Sequence, residues 1–271
     1  MSPRLIDVGA NLTHDSFDRD RSEVIARAQI AGICHMVVTG ADVESSRQAL
    51  ELCRQYPKLL SCTAGTHPHQ ASGFDTESTP MQLQDLLRQP EAVAVGECGL
   101  DYFRNFSPHP DQVLAFESQL ELAAQIGKPV FMHQRDAHRD FIRILRHYRD
   151  RISAGIVHCF TGIGEELSEY LDLDLYVGIT GWICDERRGA HLRELVSQIP
   201  ADRIMIETDA PYLLPRDMKP SPKDRRNEPS YLPHILHSIA VHTSRTPEQI
   251  ATETTANAIR FFDLQITQPI E

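Results

Sequence analysis

The chain has 271 residues, of which 41% are apolar and 24% are charged, as is usual for a globular protein. No apolar run reaches the roughly 18 residues of a membrane helix, and no signal-peptide core opens the chain, so we expect a cytoplasmic protein without a membrane segment. The net charge of −11 argues against a broad nucleic-acid-binding surface but allows a local basic patch. The six cysteines form no Cys-x-x-Cys pair, so we expect reduced thiols.

Short apolar runs alternate with amphipathic stretches along the chain. Eight runs are typical of buried parallel strands, at 5–8, 36–39, 59–63, 92–97, 130–133, 155–158, 175–179 and 204–207. Stretches with apolar residues at helical spacing lie at 20–31, 44–56, 81–88, 111–126, 137–148, 165–171 and 192–198, followed by 232–243 and 247–262. This alternation predicts an α/β fold, a single (β/α)₈ TIM barrel forming one domain over 1–271, with an open doubly wound sheet as the alternative.

Ligand-type residues stand at the ends of four of these runs. Glu97, His133, His158 and Asp209 would meet at the C-terminal mouth of a barrel, where active sites lie. Each of them alone is more typical of a structural histidine, a turn acid or a helix cap. Together they would be costly to bury without a cation. The pattern therefore predicts a catalytic divalent-metal site, and two imidazoles with two carboxylates suit Zn²⁺, Mn²⁺ or Mg²⁺.

Basic residues follow the last run and would flank the same mouth. Arg225 and Arg226 are predicted to form a phosphate-binding rim, with His67 and Arg135 also holding phosphate oxygens. The alternative is an ordinary solvated loop. Trp182, at the end of the seventh run, is predicted either to stack on a base or to serve as a packing residue.

Several longer motifs lie at the predicted strand ends: Gly65-Thr66-His67-Pro68-His69, Gly96-Glu97-Cys98-Gly99-Leu100-Asp101, Pro129-Val130-Phe131-Met132-His133, Val157-His158-Cys159-Phe160-Thr161-Gly162 and Glu207-Thr208-Asp209-Ala210-Pro211-Tyr212-Leu213. They resemble the TatD family of metal-dependent deoxyribonucleases, most closely the branch found in enteric bacteria, and the match extends from about residue 5 to residue 262. The resemblance implies an amidohydrolase-like barrel and Mg²⁺-stimulated 3′→5′ exonuclease action on single-stranded DNA and RNA. It also implies Glu97, His133, His158 and Asp209 as metal ligands, and a role in repair of oxidative DNA damage.

The first strand departs from the family pattern. Most members carry His-x-His there, whereas this chain has Gly9 and Asn11. We therefore expect one firmly held ion and a weak second position. The loss of nitrogen ligands favours Mg²⁺, with Mn²⁺ or Zn²⁺ as alternatives.

The leading hypothesis is phosphodiester hydrolysis by a monomer, with Asp209 as both metal ligand and general base. A small-molecule amidohydrolase or esterase on the same barrel is the alternative, although the basic rim argues against neutral substrates. A third hypothesis is a non-catalytic nucleic-acid binder whose site has decayed. The sequence leaves open whether cleavage is exonucleolytic or endonucleolytic, and whether DNA or RNA is preferred.

Overall fold

Eight parallel strands form one sheet in the computed structural model, which describes residues 4–266. The strands are β1 (Leu5–Ala10), β2 (Ile33–Val38), β3 (Leu60–Ala64), β4 (Ala92–Asp101), β5 (Val130–Arg135), β6 (Gly155–Val157), β7 (Tyr176–Ile179) and β8 (Ile204–Ile206). Each strand pairs with the next in sequence. Asn11 N donates to Ala210 O at 2.7 Å and Asp209 N donates to Gly9 O at 2.8 Å, joining the chain after β8 to the end of β1. The barrel prediction is therefore confirmed, and the open sheet was wrong.

Helices surround the barrel: α1 (Arg21–Ile30), α2 (Val43–Gln55), α3 (Ser78–Leu87), α4 (His109–Ile126), α5 (His138–Tyr148), α6 (Gly164–Asp172), α7 (Ala190–Leu195), α8 (Leu232–Val241) and α9 (Pro247–Phe262). Their bounds follow the predicted stretches closely. Gly127 caps α4 in the left-handed conformation with φ of 71°, as its position after the periodic stretch predicts. No helix among residues 4–266 is long and apolar enough to span a membrane.

The hydrophobic core has two layers. The larger layer lies between the outer face of the sheet and the helices. The smaller one fills the barrel with one or two side chains from most strands, among them Val8, Phe131 and Met205. Helix α9 closes this inner layer because Phe261 packs edge-on against Tyr176 of β7, with ring centroids 5.2 Å apart. Side chains therefore fill the barrel, and the chemistry is confined to its mouth.

Strand β4 runs four residues beyond its predicted end at residue 97. Gly96 and Gly99 have φ near +140°, and a Cβ at either position would lie within 2.2 Å of a backbone oxygen of β5. Only glycine permits this close approach. An extra residue in β4 between Val95 and Cys98 forms a bulge against β5, and such bulges redirect side chains. Glu97 lies in this bulge.

One domain over 1–271 stays a prediction, and residues 1–3 and 267–271 of that range lie outside the described part of the chain.

Candidate metal centre

Three histidine rings converge on one oxygen of Glu97. Its Oε1 lies 2.8 Å from His158 Nε2, 3.1 Å from His133 Nδ1 and 3.2 Å from His67 Nε2. These side chains come from four consecutive positions around the barrel, β3 to β6, and all are largely buried. His67, Glu97 and His133 each offer a ligand atom within 4.8 Å of the others. This arrangement has the donor types and spacing of a metal centre.

The chain after β3 explains why His67 points inward. Pro68 starts a 3₁₀ helix, Pro68–Gly73, and His67 is its N-cap. Its Nδ1 accepts a hydrogen bond from His69 N at 3.1 Å, so Nε2 is left to face Glu97. The sequence predicted phosphate binding for His67, but its ring is packed among the other ligand-type groups.

Two further carboxylates stand behind these histidines. Asp101 Oδ2 lies 3.4 Å from His133 Nε2 and 2.7 Å from His69 Nε2. Glu207 Oε2 lies 3.4 Å from His158 Nδ1. Carboxylates in this position orient ligating imidazoles and increase their basicity.

Burial and charge oppose each other in this cluster. Burial lowers the pKa of His67 to about 4. Burial also disfavours protonation of His133 and His158, but their carboxylate neighbours outweigh it and raise the pKa of both. Burial by itself would raise the pKa of Glu97, yet His158 and His67 hold it well below its usual range. The carboxylate thus stays ionised in a buried pocket, as a cation ligand must.

Glu207 lies directly against Gly9 of β1, the first of the two positions that depart from the family pattern. A Cβ added at Gly9 would lie 2.5 Å from Glu207 Oε2, and one added at Gly178 would lie 2.5 Å from Oε1. Glu207 is fully buried, and its Oε1 accepts from Cys159 N at 2.6 Å. The two glycines therefore accommodate this carboxylate, and no side chain fits at position 9 while it is there.

Asp209 follows β8 at the same mouth. Its Oδ1 accepts from Asn11 Nδ2 at 2.9 Å, so the second departure from the family pattern orients this carboxylate. Burial raises the pKa of Asp209 to about 7, with opposing effects from His158 and Glu97. A carboxylate with a pKa near 7 can accept a proton at neutral pH.

Two cavities lie along the rim formed by the loops after β5 to β8. One of about 450 Å³ is lined by Trp182, Arg188, Arg216 and Arg225, among others. The other, of about 220 Å³, is lined by Arg135, Trp182 and Arg188 with further side chains. The Arg188 guanidinium lies 4.5 Å from the Trp182 ring centroid. Trp182 is thus placed between two cavities lined by arginines, which suits an anionic ligand with planar groups.

The two adjacent arginines of the predicted rim differ in their surroundings. Arg225 is exposed and lines the larger cavity. Arg226 instead pairs with Asp20 at 2.7 Å and Glu228 at 2.9 Å, and its guanidinium lies 4.7 Å from the Phe17 ring centroid. Arg226 thus holds the β8–α8 loop to the segment before α1, and Arg225 is the member of the pair that lines a cavity. Phosphate binding by Arg226 stays a prediction.

Sequence reasoning assigned no role to Asp101, Glu207 or His69. The signal was present, since Asp101 and Glu207 are acids that end apolar strand segments and His69 lies two residues after His67. Phe103 was also missed, although its exposed ring lies 4.2 Å from the Arg135 guanidinium carbon. Asp101 and Glu207 lie beside ring nitrogens of the predicted ligands His133 and His158.

Comparisons with known proteins show the family and the fold of this chain. The model of a family described as TatD related DNase matches residues 6–263. The 3′-5′ ssDNA/RNA exonuclease TatD of Edwardsiella piscicida is 51% identical over 260 residues, which cover 96% of this chain and 100% of the relative. A solved TatD homologue of Escherichia coli has a TM-score of 0.88 at 26% identity, over 97% of this chain and 99% of its own. An uncharacterised amidohydrolase of Saccharomyces cerevisiae has a TM-score of 0.85 at 21% identity, over 96% and 100%, and shows the shared fold.

Proposed function

Because the chain belongs to the TatD-related DNase family, we propose that it is a metal-dependent exonuclease that hydrolyses single-stranded DNA and RNA in the 3′→5′ direction. This is the activity named for the Edwardsiella relative. The observation that carries the proposal is the convergence of three imidazoles on Glu97 Oε1 at the barrel mouth. A cytoplasmic location and a monomeric state remain proposals from the sequence, and a role in DNA repair remains a proposal from the family resemblance.

The residues at the mouth fit a divalent ion. His158 Nε2, His133 Nδ1 and His67 Nε2 all lie within 3.2 Å of Glu97 Oε1, and these side chains are largely buried. Imidazole nitrogens gathered around a buried, ionised carboxylate are the donor set that a divalent ion takes from proteins. We propose Glu97, His133, His158 and Asp209 as ligands, as the sequence predicts, and add His67. Mg²⁺ is the ion the family resemblance implies, and Mn²⁺ and Zn²⁺ are the ions to compare with it because imidazoles suit them better.

A bound divalent ion would lower the pKa of water and offset the negative charge on the reacting phosphate. Asp209 would take the proton from the attacking water, because its carboxylate lies at the same mouth and Asn11 holds its Oδ1. Arg135 and Arg225 would hold phosphate oxygens on either side of the mouth, and Trp182 would stack on a base between them. Each of these roles belongs to a side chain at a strand end or in the loop that follows.

The decisive experiment is digestion of oligonucleotides labelled at the 3′ or 5′ end, single- or double-stranded, DNA or RNA, with each metal. We expect stepwise release from the 3′ end of single strands, and none after chelation. Glu97→Ala, His133→Ala and His158→Ala should each reduce the rate by orders of magnitude, whereas His237→Ala, on the outer face of α8, should not. A folded protein that hydrolyses esters or lactones but no oligonucleotide would refute the proposal.

Asp209→Asn separates the proton acceptor from the ligand set. An amide still accepts the hydrogen bond from Asn11 but takes no proton from water, so we expect oligonucleotide binding without turnover. A wild-type pH–rate profile in this variant would remove Asp209 as the base. Binding without turnover in the wild-type protein, with every metal, would instead support a non-catalytic nucleic-acid binder.

A further inference from the structure

A second group of ligand-type side chains lies apart from the cluster at Glu97. Cys184 Sγ, a carboxylate oxygen of Asp217 and a ring nitrogen of His234 all lie within 4.8 Å of one another. His234 Nε2 is 2.7 Å from Asp217 Oδ1. Cys184 is fully buried, while the other two side chains are about one-third exposed. One side of the group is therefore open to water.

Three separate segments supply these side chains. Cys184 ends the 3₁₀ helix Gly181–Cys184 after β7, Asp217 lies in the long β8–α8 loop, and His234 is in the first turn of α8. The first two segments are in close contact, since a Cβ on Gly181 would lie 2.2 Å from Leu213 O. Their packing brings the thiol, the carboxylate and the imidazole together even though the residues are up to 50 positions apart in sequence.

We propose that Cys184, Asp217 and His234 form a second metal site, selective for zinc, that fixes the β8–α8 loop against the barrel. Thiolate, imidazole and carboxylate are the three ligand types that zinc takes from proteins, and a thiolate disfavours Mg²⁺. Zinc bonds of about 2.0–2.3 Å in a tetrahedron place ligand atoms roughly 3.3–3.8 Å apart, so the group needs only small shifts. The thiol proton passes to solvent as sulfur binds, and water takes the fourth position.

The site would act on the rim through its neighbours in sequence. Trp182 lies two residues before Cys184, and Arg216 lies directly before Asp217. Both line the larger cavity, and Arg216 Nη1 is 3.4 Å from Asp185 Oδ2. A metal at this position would therefore order one wall of the cavity. Metal binding here is independent of the proposed nuclease function, because none of the three ligands belongs to the catalytic cluster.

Cobalt substitution tests the site directly. Thiolate bound to Co²⁺ gives a near-ultraviolet charge-transfer band, and the proposed catalytic ligands include no cysteine. We expect the band in the wild-type protein and in Glu97→Ala, and its loss in Cys184→Ser. The matched control is Cys159→Ser, because Cys159 lies beside the catalytic ligand His158, and it should keep the band. Zn²⁺ should raise the Tm of the wild-type protein and of Glu97→Ala.

Two results would overturn the proposal. One is the absence of a thiolate band in wild-type protein saturated with Co²⁺. The other is a band that survives in Cys184→Ser. If Cys184→Ser fails to fold, His234→Ala provides the second test because its side chain is at the surface. A band of unchanged intensity and affinity in folded His234→Ala would equally refute the ligand set, whereas at least a tenfold loss of Co²⁺ affinity would support it.

Discussion

Replacing Glu207 with glutamine tests whether this buried carboxylate supports the metal centre through His158. Glutamine has nearly the same shape, so it still fits between Gly9 and Gly178, and its amide oxygen still accepts from Cys159 N. What disappears is the negative charge 3.4 Å from His158 Nδ1. The substitution therefore separates charge from packing.

The expected effect follows from the burial of the pair. His158 and Glu207 side chains are 4% and 0% exposed, so solvent screens their interaction little. Removing a carboxylate that supports a ligating histidine typically costs 10- to 100-fold in metal affinity or activity. That range corresponds to about 1.4–2.8 kcal/mol. We expect Glu207→Gln to need 10 to 100 times more metal for half-maximal activity while its Tm stays within a few degrees of wild type.

The assay is oligonucleotide hydrolysis over a range of Mg²⁺ and Mn²⁺ concentrations, with circular dichroism to check the fold. Glu253→Gln is the matched control because it makes the same change on α9, where Glu253 pairs with Arg245 away from the mouth. An unchanged metal requirement in folded, active Glu207→Gln would show that the carboxylate only fills space, and the reasoning above would fail.

Three further results are expected. His67→Ala should raise the metal concentration needed for activity more than the KM for oligonucleotide, because the ring faces Glu97; the reverse pattern would restore its predicted phosphate role. Arg225→Ala should reduce the log–log salt slope of single-strand binding by roughly 0.7, whereas Arg226→Ala should leave that slope unchanged and lower stability by about 1–3 kcal/mol; equal slopes in Arg225→Ala and wild type would contradict the first half. Burial raises the pKa of Asp7 to about 7, so folded protein holds this proton more tightly than unfolded protein does, and stability should fall as pH rises from about 4 to 7. Asp7→Asn should remove that fall and gain up to about 4 kcal/mol at pH 8 in thermal denaturation of metal-free protein, and parallel pH profiles for the two proteins would count against it.

The fold was predictable because its signals are local. Buried parallel strands read as short apolar runs, and α9 matches its predicted bounds at 247–262 because Thr246 and Pro247 mark its start and the left-handed Asp263 ends it. The extension of β4 was missed because Gly96 and Gly99 weaken a strand pattern. The structure explains these glycines, because a Cβ at either position would collide with a backbone oxygen of β5.

The sequence predicted the site residues that follow barrel strands. It did not predict contacts between side chains that are far apart in sequence. Glu97, His133 and His158 are brought together by the barrel, as their positions indicate. Arg226 looked like Arg225 in sequence, but its partner Asp20 is 206 residues away, and no local pattern reports such a pair. The inward rotation of His67 depends on the 3₁₀ helix that it caps.

Helix α9 provides no ligand to the proposed metal centre, yet it holds the strands that position the ligands. Asn257 Nδ2 donates to Ala201 O and Ile204 O at 2.8 Å each, and Phe261 packs on Tyr176, so α9 seals the inner layer beneath β7 and β8. All the proposed ligands are synthesised before α9. Until residues 247–262 follow, the inner core layer beneath the strands that hold these ligands stays uncovered. During synthesis on the ribosome, the hydrolytic centre would therefore be assembled late. A chain that ends before residue 247 would contain every proposed ligand but would lack the helix that packs against the inner core layer beneath them.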